Sequence, residues 1–227
     1  MRPALTISRQ DYLKALLGLG GQTRVVGTSE LANRLGVAPP SVTHMLRRLA
    51  QDRLVTLAPG AGAKLSASGA REALLVVRRH RLLETFLVGH LGLDWSEAHE
   101  EAEVLEHAVS DRVLNALDRL MDHPSEDPHG HPIPDATGKL EHRALTPAIT
   151  LDVGESAVVR EIRDHDARRM ARWQAAGLVP GAAVRMCAVD REDDVFELEV
   201  AGRALISGSE GLEGVLVQRR GGARAKA

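Results

Sequence analysis

Up to about position 120 the apolar residues fall at helical spacing, and after about position 146 the chain changes to short β-rich segments between Gly- or Asp-containing turns. Ser8-Arg9-Gln10-Asp11 has the spacing of a capping box, with Asp in place of the usual Glu, ahead of "YLKALLGL". That predicts a first helix ending at Gly20-Gly21. Thr28 or Ser29 starts a short helix with Leu31, Ala32 and Leu35 on one face, stopped at Gly36-Val37. Pro39-Pro40 opens another, "SVTHMLRRLAQD", because proline is tolerated in a first helical turn. Two short helices joined by a tight Gly-containing turn match the helix-turn-helix pattern. In "LVTLAPGAGAKLSASG" two apolar stretches flank Pro59-Gly60-Ala61-Gly62, a hairpin signal that makes the motif a winged one.

From Ala70 a long helix runs to Leu91 and breaks at Gly92; Ser96 caps a second helix, and Ser110 a third that ends near Asp122. "HPSEDPHGHPIPDATG" has the composition of a Pro/Gly-rich linker and no periodicity. "SAVVREI", "AAVRMCAV", "VFELEV" and "EGVLVQR" follow as strands, with "ARRMARWQAAG" as a helical insert and "RGGARAKA" as a disordered tail. The expected fold is mainly α with β. Residues 1–73 form a winged helix-turn-helix, 74–145 a helical domain and 146–227 a small β-barrel-like domain.

Composition narrows the class. The 227 residues are 26% charged and 44% apolar, as in a soluble globular protein. With two Trp, two Phe and one Tyr, the cores must be filled by Leu, Val and Ala. Cys187 is the single cysteine, so no intrachain disulfide can form and a metal site must use N and O ligands. "MRPALTISRQ" has no apolar leader region, and no run of about 18 apolar residues occurs, which reads as a cytoplasmic protein without a membrane span. The net charge of -2 hides an asymmetry. Residues 1–73 carry ten Lys/Arg against four Asp/Glu, and residues 74–145 seven against fourteen. A basic first third beside an acidic middle suggests two partners of opposite charge.

The acidic stretch 80–111 holds four histidines and six glutamates. On a helix His80 and Glu84 form an i, i+4 pair, as do His99 and Glu103, and Glu103, Glu106 and His107 form an i, i+3, i+4 set. Two carboxylates and an imidazole at that spacing suit a divalent metal, while a solvated helix face is the alternative that spacing leaves open. Glu97, Glu100 and Glu101 belong to such a face.

The motifs "SRQDYLKAL", "SELANRLGVAPPSVTHMLRRL", "RRHRLLETFL", "GLDWSEAHEEAEVLEHAVSD" and "PHGHPIP", in that order, resemble the diphtheria-toxin-repressor family in its manganese-responsive branch. "AGLVPGAAV" is similar to the SH3-like domain also found in ferrous-iron transport proteins. The resemblance implies a homodimeric, metal-activated repressor of metal-uptake genes, not an enzyme, which binds a palindromic double-stranded DNA operator. It implies an activating site of Asp11, Glu103, Glu106 and His107. Iron-responsive members have a sulfur ligand where Asp11 and Glu103 stand, so hard oxygen ligands point to Mn²⁺, with Fe²⁺ as the other candidate. Small manganese members carry a carboxylate one turn after Asp11. This chain has Lys14, which implies one metal in that site. An ancillary site would use His80, Glu84 and His99, completed by Asp166 or by Asp127 and His129. His90, His123, His131 and His142 have no family role and are expected on the surface. The second helix of the DNA-binding motif would present Pro40, Ser41, Thr43 and His44 to base edges, with Arg47, Arg48 and the wing's Lys64 at phosphates. Two other classes remain to be separated: a metal-independent DNA-binding protein whose acidic helices only dimerise, and a two-metal hydrolase, which needs an open coordination position in a substrate cleft.

Overall fold

The computed structural model describes residues 5–163 and 166–219, so the "RGGARAKA" tail lies outside the described residues. Two compact units emerge. The first comprises residues 1–83, 103–118 and 133–141, and the second 84–102, 119–132 and 142–227.

In the first unit, helix α1 spans Ile7–Gly18, α2 Thr28–Leu35 and α3 Pro39–Gln51, followed by strands β1 (Val55–Ala58) and β2 (Gly62–Leu65). The strands pair antiparallel, Val55 opposite Leu65 and Ala58 opposite Gly62, which makes the wing. Leu13, Leu16, Val26, Leu31, Val42, Leu46, Leu49 and Ala63 fill one core. The capping box expected at Ser8–Asp11 does not form: α1 starts earlier, with Thr6 at the N-cap and no side-chain cap bond. Asp11 is thereby inside the helix, and its carboxylate is available for long-range contacts.

Helix α4 spans Ala67–Leu91 and starts three residues before the expected Ala70. Ser66 caps it, its Oγ accepting the Gly69 amide at 3.0 Å. Gly69 is no helix breaker. A Cβ there would lie 1.9 Å from the Leu54 carbonyl oxygen, so glycine is what lets the helix pass against the loop after α3. Helix α5 covers Trp95–Leu105 and α6 Asp111–Leu120. α5 starts at Trp95, before the Ser96 expected to cap it, and Asp94, one residue ahead, forms a reciprocal cap: its Oδ1 accepts the Glu97 amide at 3.0 Å while Glu97 Oε2 accepts the Asp94 amide at 3.3 Å. Ser110 caps α6 through its Oγ and the Val113 amide. No described helix is long and apolar enough to cross a membrane.

The second unit holds β3 (Thr146–Pro147), β4 (Ser156–Ile162), α7 (Ala167–Ala175), β5 (Ala183–Asp190), β6 (Val195–Val200), β7 (Arg203–Ser207) and β8 (Val215–Arg219). The six strands form one antiparallel sheet in the order β3-β8-β4-β5-β6-β7. The edge strands β3 and β7 are not paired with each other, so among the described residues the sheet does not close into the expected β-barrel; an SH3-like fold is compatible with this open sheet. Val159, Ile162, Met186, Leu198, Val215 and Val217 line its core with Trp173 of α7 and Trp95 of α5. The expected linker is built rather than solvated. Asp127, His129 and Gly130 are buried, and the Ile162 amide donates to the His129 carbonyl at 2.9 Å. Gly130 has φ of 82° and a Cβ there would meet the Arg160 carbonyl oxygen at 1.8 Å, so no other residue fits.

Candidate metal centre

Among the described residues, ligand-bearing side chains gather within each unit. In the first unit Asp11 of α1 meets the turn that follows α5. Glu103 is on the last turn of that helix, and Glu106 and His107 lie just beyond it, where the sequence pattern continued the helix. Arg79 holds this turn, donating to the carbonyl of Val109 at 3.0 Å and pairing with Asp111. His107 Nε2 is 2.9 Å from Asp11 Oδ1 and 3.4 Å from Glu106 Oε1. Its other ring nitrogen, Nδ1, lies 2.8 Å from the side-chain oxygen of Gln10. The Gln10 oxygen accepts from Nδ1, which leaves Nε2 as the ring nitrogen on the side of the carboxylates, the one a metal would take. Gln10 is thus the orienting partner of His107, a residue the sequence pattern did not single out.

The ligand atoms of Asp11, Glu106 and His107 lie within 4.8 Å of one another. One divalent ion with ligand bonds of about 2.0–2.6 Å can span such a set, so the residues fit a metal. Burial raises the Asp11 carboxyl above its ordinary value; His107 opposes this, Glu106 adds to it, Lys14 opposes it and Glu103 adds to it. Glu106 is fully buried, and a buried carboxylate needs a charge partner. Lys14 supplies one. Its Nζ donates to Glu106 Oε1 at 2.9 Å, to Glu106 Oε2 at 2.8 Å and to Glu103 Oε1 at 2.7 Å. His80, expected in the ancillary set, has its Nδ1 at 2.8 Å from Glu106 Oε2.

In the second unit, Glu84 Oε1 is 2.8 Å from His99 Nδ1, and Glu84 Oε2 is 4.0 Å from His129 Nδ1. Asp127 organises the loop: its Oδ1 accepts the amides of His129 and His131, each at 2.9 Å, and its Oδ2 lies 3.0 Å from His131 Nδ1. His131 is therefore part of the cluster rather than a bystander on the surface, whereas His90, His123 and His142 are exposed as expected. His129 packs edge-on against Trp95, and burial pushes its pKa below the usual imidazole range. Its Nε2 is buried without a hydrogen-bond partner among the described residues, the kind of atom that fits a metal ion. Asp166 stands at the N-cap of α7, where Oδ1 accepts the amides of Arg168 and Arg169. The Arg169 amide is the largest cause of its lowered pKa.

On α3, Val42, Leu46 and Leu49 face the core, which turns Pro40, Ser41, His44, Arg47 and Arg48 outward. Thr43 is partly buried, its hydroxyl donating to the Pro39 carbonyl at 3.2 Å. Glu97, Glu100 and Glu101 are exposed, as a solvated helix face requires.

Residues 4–63 match the model of the iron dependent repressor N-terminal DNA binding domain, residues 66–135 that of the iron dependent repressor metal binding and dimerisation domain, and residues 148–219 the FeoA domain. The chain is 30% identical over 192 residues to the iron-dependent repressor IdeR of Mycobacterium tuberculosis, covering 79% of this chain and 84% of that protein. It is 31% identical over 190 residues to the diphtheria toxin repressor of Corynebacterium efficiens, covering 79% and 83%. A solved manganese-dependent transcriptional repressor in complex with manganese superposes with a TM-score of 0.85 and 36% identity, over 93% of this chain and 100% of that one.

Proposed function

The chain belongs to the iron-dependent repressor family of metal-dependent, DNA-binding transcriptional repressors, and within that family we propose that it is a cytoplasmic Mn²⁺-activated homodimer acting on a palindromic operator of metal-uptake genes. The modules are residues 1–73 for DNA, 74–145 for metal and dimerisation, and 146–227 as the SH3-like domain.

One observation carries the reading. Asp11, on the first helix of the DNA-binding module, shares a ligand cluster with Glu106 and His107 from the acidic module, His107 Nε2 lying 2.9 Å from its Oδ1. The activating metal is held by Asp11, Glu103, Glu106 and His107. Three carboxylates and one imidazole, with no sulfur, favour a hard ion, which is why Mn²⁺ is placed before Fe²⁺. When bound, the metal supplies charge neutralisation and joins α1 to the turn after α5. Gln10 keeps His107 in the ligating tautomer, and Arg79 fixes the turn that carries Glu106 and His107. The result is a shift of population toward the DNA-competent arrangement, limited by the metal's preference for that arrangement. The ancillary site is built on Glu84 and His99, and the buried Nε2 of His129 supports the loop residues Asp127 and His129, rather than Asp166, as its completion. Pro40, Ser41, Thr43 and His44 read base edges while Arg47 and Arg48 contact phosphates.

The test uses the full chain stripped by chelation. Electrophoretic mobility shift on a duplex library, with Mn²⁺ titrated back, is expected to yield metal-dependent selection of a two-fold symmetric sequence bound by a dimer. Equal DNA binding with and without metal, or an asymmetric site bound by monomer, contradicts the proposal.

A further inference from the structure

Four contacts converge on the Lys14 ammonium: Glu103 Oε1 at 2.7 Å, Glu106 Oε1 at 2.9 Å, Glu106 Oε2 at 2.8 Å and His80 Nδ1 at 3.3 Å. Both oxygens of a fully buried carboxylate are thus directed at a side-chain cation. Oε1 of Glu106 is also the oxygen nearest the Asp11–His107 pair, 3.4 Å from His107 Nε2. An ammonium and a divalent ion sharing that carboxylate would stand a few ångströms apart in a poorly hydrated site, where like charges repel strongly. Lys14 also has somewhere to go. Its side chain is 21% exposed, while Glu106 is not exposed at all, and a lysine is a compact charge on a flexible four-carbon stem that can reach water.

We propose that Lys14 is a tethered counter-cation that holds Glu103 and Glu106 in the metal-free protein and is displaced when metal binds. Two consequences follow. The metal-free ligand set is neutralised and kept folded by its own chain instead of being left as mutually repelling carboxylates. The free-metal concentration at which the regulator switches is set in part by how tightly Lys14 is held. The inference rests on Asp11, Glu103, Glu106 and His107 being the ligands of the activating metal.

Amine acylation of the wild-type chain, read at Lys14 by mass spectrometry, tests the displacement without any variant. Chelated protein is compared with protein loaded with Mn²⁺. Lys14 is expected to become several-fold more reactive on loading and to return on chelation, while Lys64 and Lys139 stay constant. Unchanged or reduced Lys14 reactivity, in protein that calorimetry shows to be Mn²⁺-bound, overturns the proposal. Calorimetry on Lys14→Met gives the second arm. Removing a hydrogen-bonded charge partner is expected to tighten Mn²⁺ binding by a factor of about ten to a hundred, and to lower the melting temperature of the metal-free form more than that of the loaded form. A folded Lys14→Met with wild-type or weaker affinity overturns it; if that variant does not fold, the acylation result on wild type decides. Absence of Mn²⁺ binding by wild type instead removes the parent assignment of the ligands.

Discussion

The two ligand clusters use similar side chains but satisfy them differently. Around Glu106 every buried charge has a partner within the chain, the Lys14 ammonium filling the place between two glutamates. In the Glu84 cluster the His129 Nε2 is buried without a hydrogen-bond partner among the described residues. A cluster with an internal cation must give it up before it can take another, so its response to metal is a competition. A cluster with an unsatisfied imidazole nitrogen gains a partner outright. The connections differ too. The first cluster includes Asp11 of α1, the helix packed in the core of the winged motif. The second is tied through the His129 carbonyl to β4 of the sheet. On the proposed reading the first cluster switches DNA binding and the second modulates stability and loading.

The largest effect that would separate the clusters is expected at Glu106. Glu106→Ala removes a proposed ligand together with the hydrogen-bonded carboxylate that Lys14 and His80 share. Mn²⁺-dependent DNA binding should be lost, and the metal-free fold should lose about 2–3 kcal/mol, less than for a fully buried pair because Lys14 reaches solvent. Gel shift and thermal melts measure the two. Next is Gln10→Ala, which leaves every ligand in place but frees the His107 ring. Mn²⁺ affinity measured by calorimetry should fall about 10–100-fold, the usual cost of losing an orienting partner, with melting of the metal-free protein nearly unchanged.

His129→Ala tests the other side of the comparison. Elemental analysis should show fewer Mn²⁺ ions per chain, while DNA affinity at saturating metal changes little. A collapse of DNA binding there would make the two clusters equivalent switches. Smallest is Arg48→Ala, outside both clusters. It should weaken binding to all duplexes alike and lower the slope of log affinity against log salt by about 1.

Much of the framework was legible because it is written locally. Pro39-Pro40, Gly36 and the Pro59–Gly62 turn place the winged motif without reference to the rest of the chain. Strands such as "SAVVREI" are bounded by their own turn residues. Misreadings arose where tertiary contact overrides a local signal. The helix expected from Ala70 starts at Ala67, because Gly69 sits in a close approach to the Leu54 carbonyl. The Ser8–Asp11 spacing looks like a cap but leaves Asp11 for His107. The 123–138 segment has a linker's composition, yet Asp127 folds it around its own carboxylate. The grouping of Asp11 with Glu106 and His107 came from family resemblance, since no periodicity joins position 11 to position 107. Gln10 emits no sequence signal, and Lys14 stands out only as a departure from the family's carboxylate, because the His107 and Glu103 that they meet lie more than 85 residues away along the chain.

The decisive measurement is on Asp11→Ala. Fluorescence anisotropy is recorded on the duplex that the wild-type protein selects, with Mn²⁺ titrated into wild type and variant, and Mn²⁺ binding is followed in parallel by calorimetry. If the metal joins the DNA-binding module to the acidic one through Asp11, the variant should still bind Mn²⁺ through Glu103, Glu106 and His107, but gain little or no DNA affinity from it. A variant that binds Mn²⁺ and shows the full wild-type gain in DNA affinity would contradict that linkage.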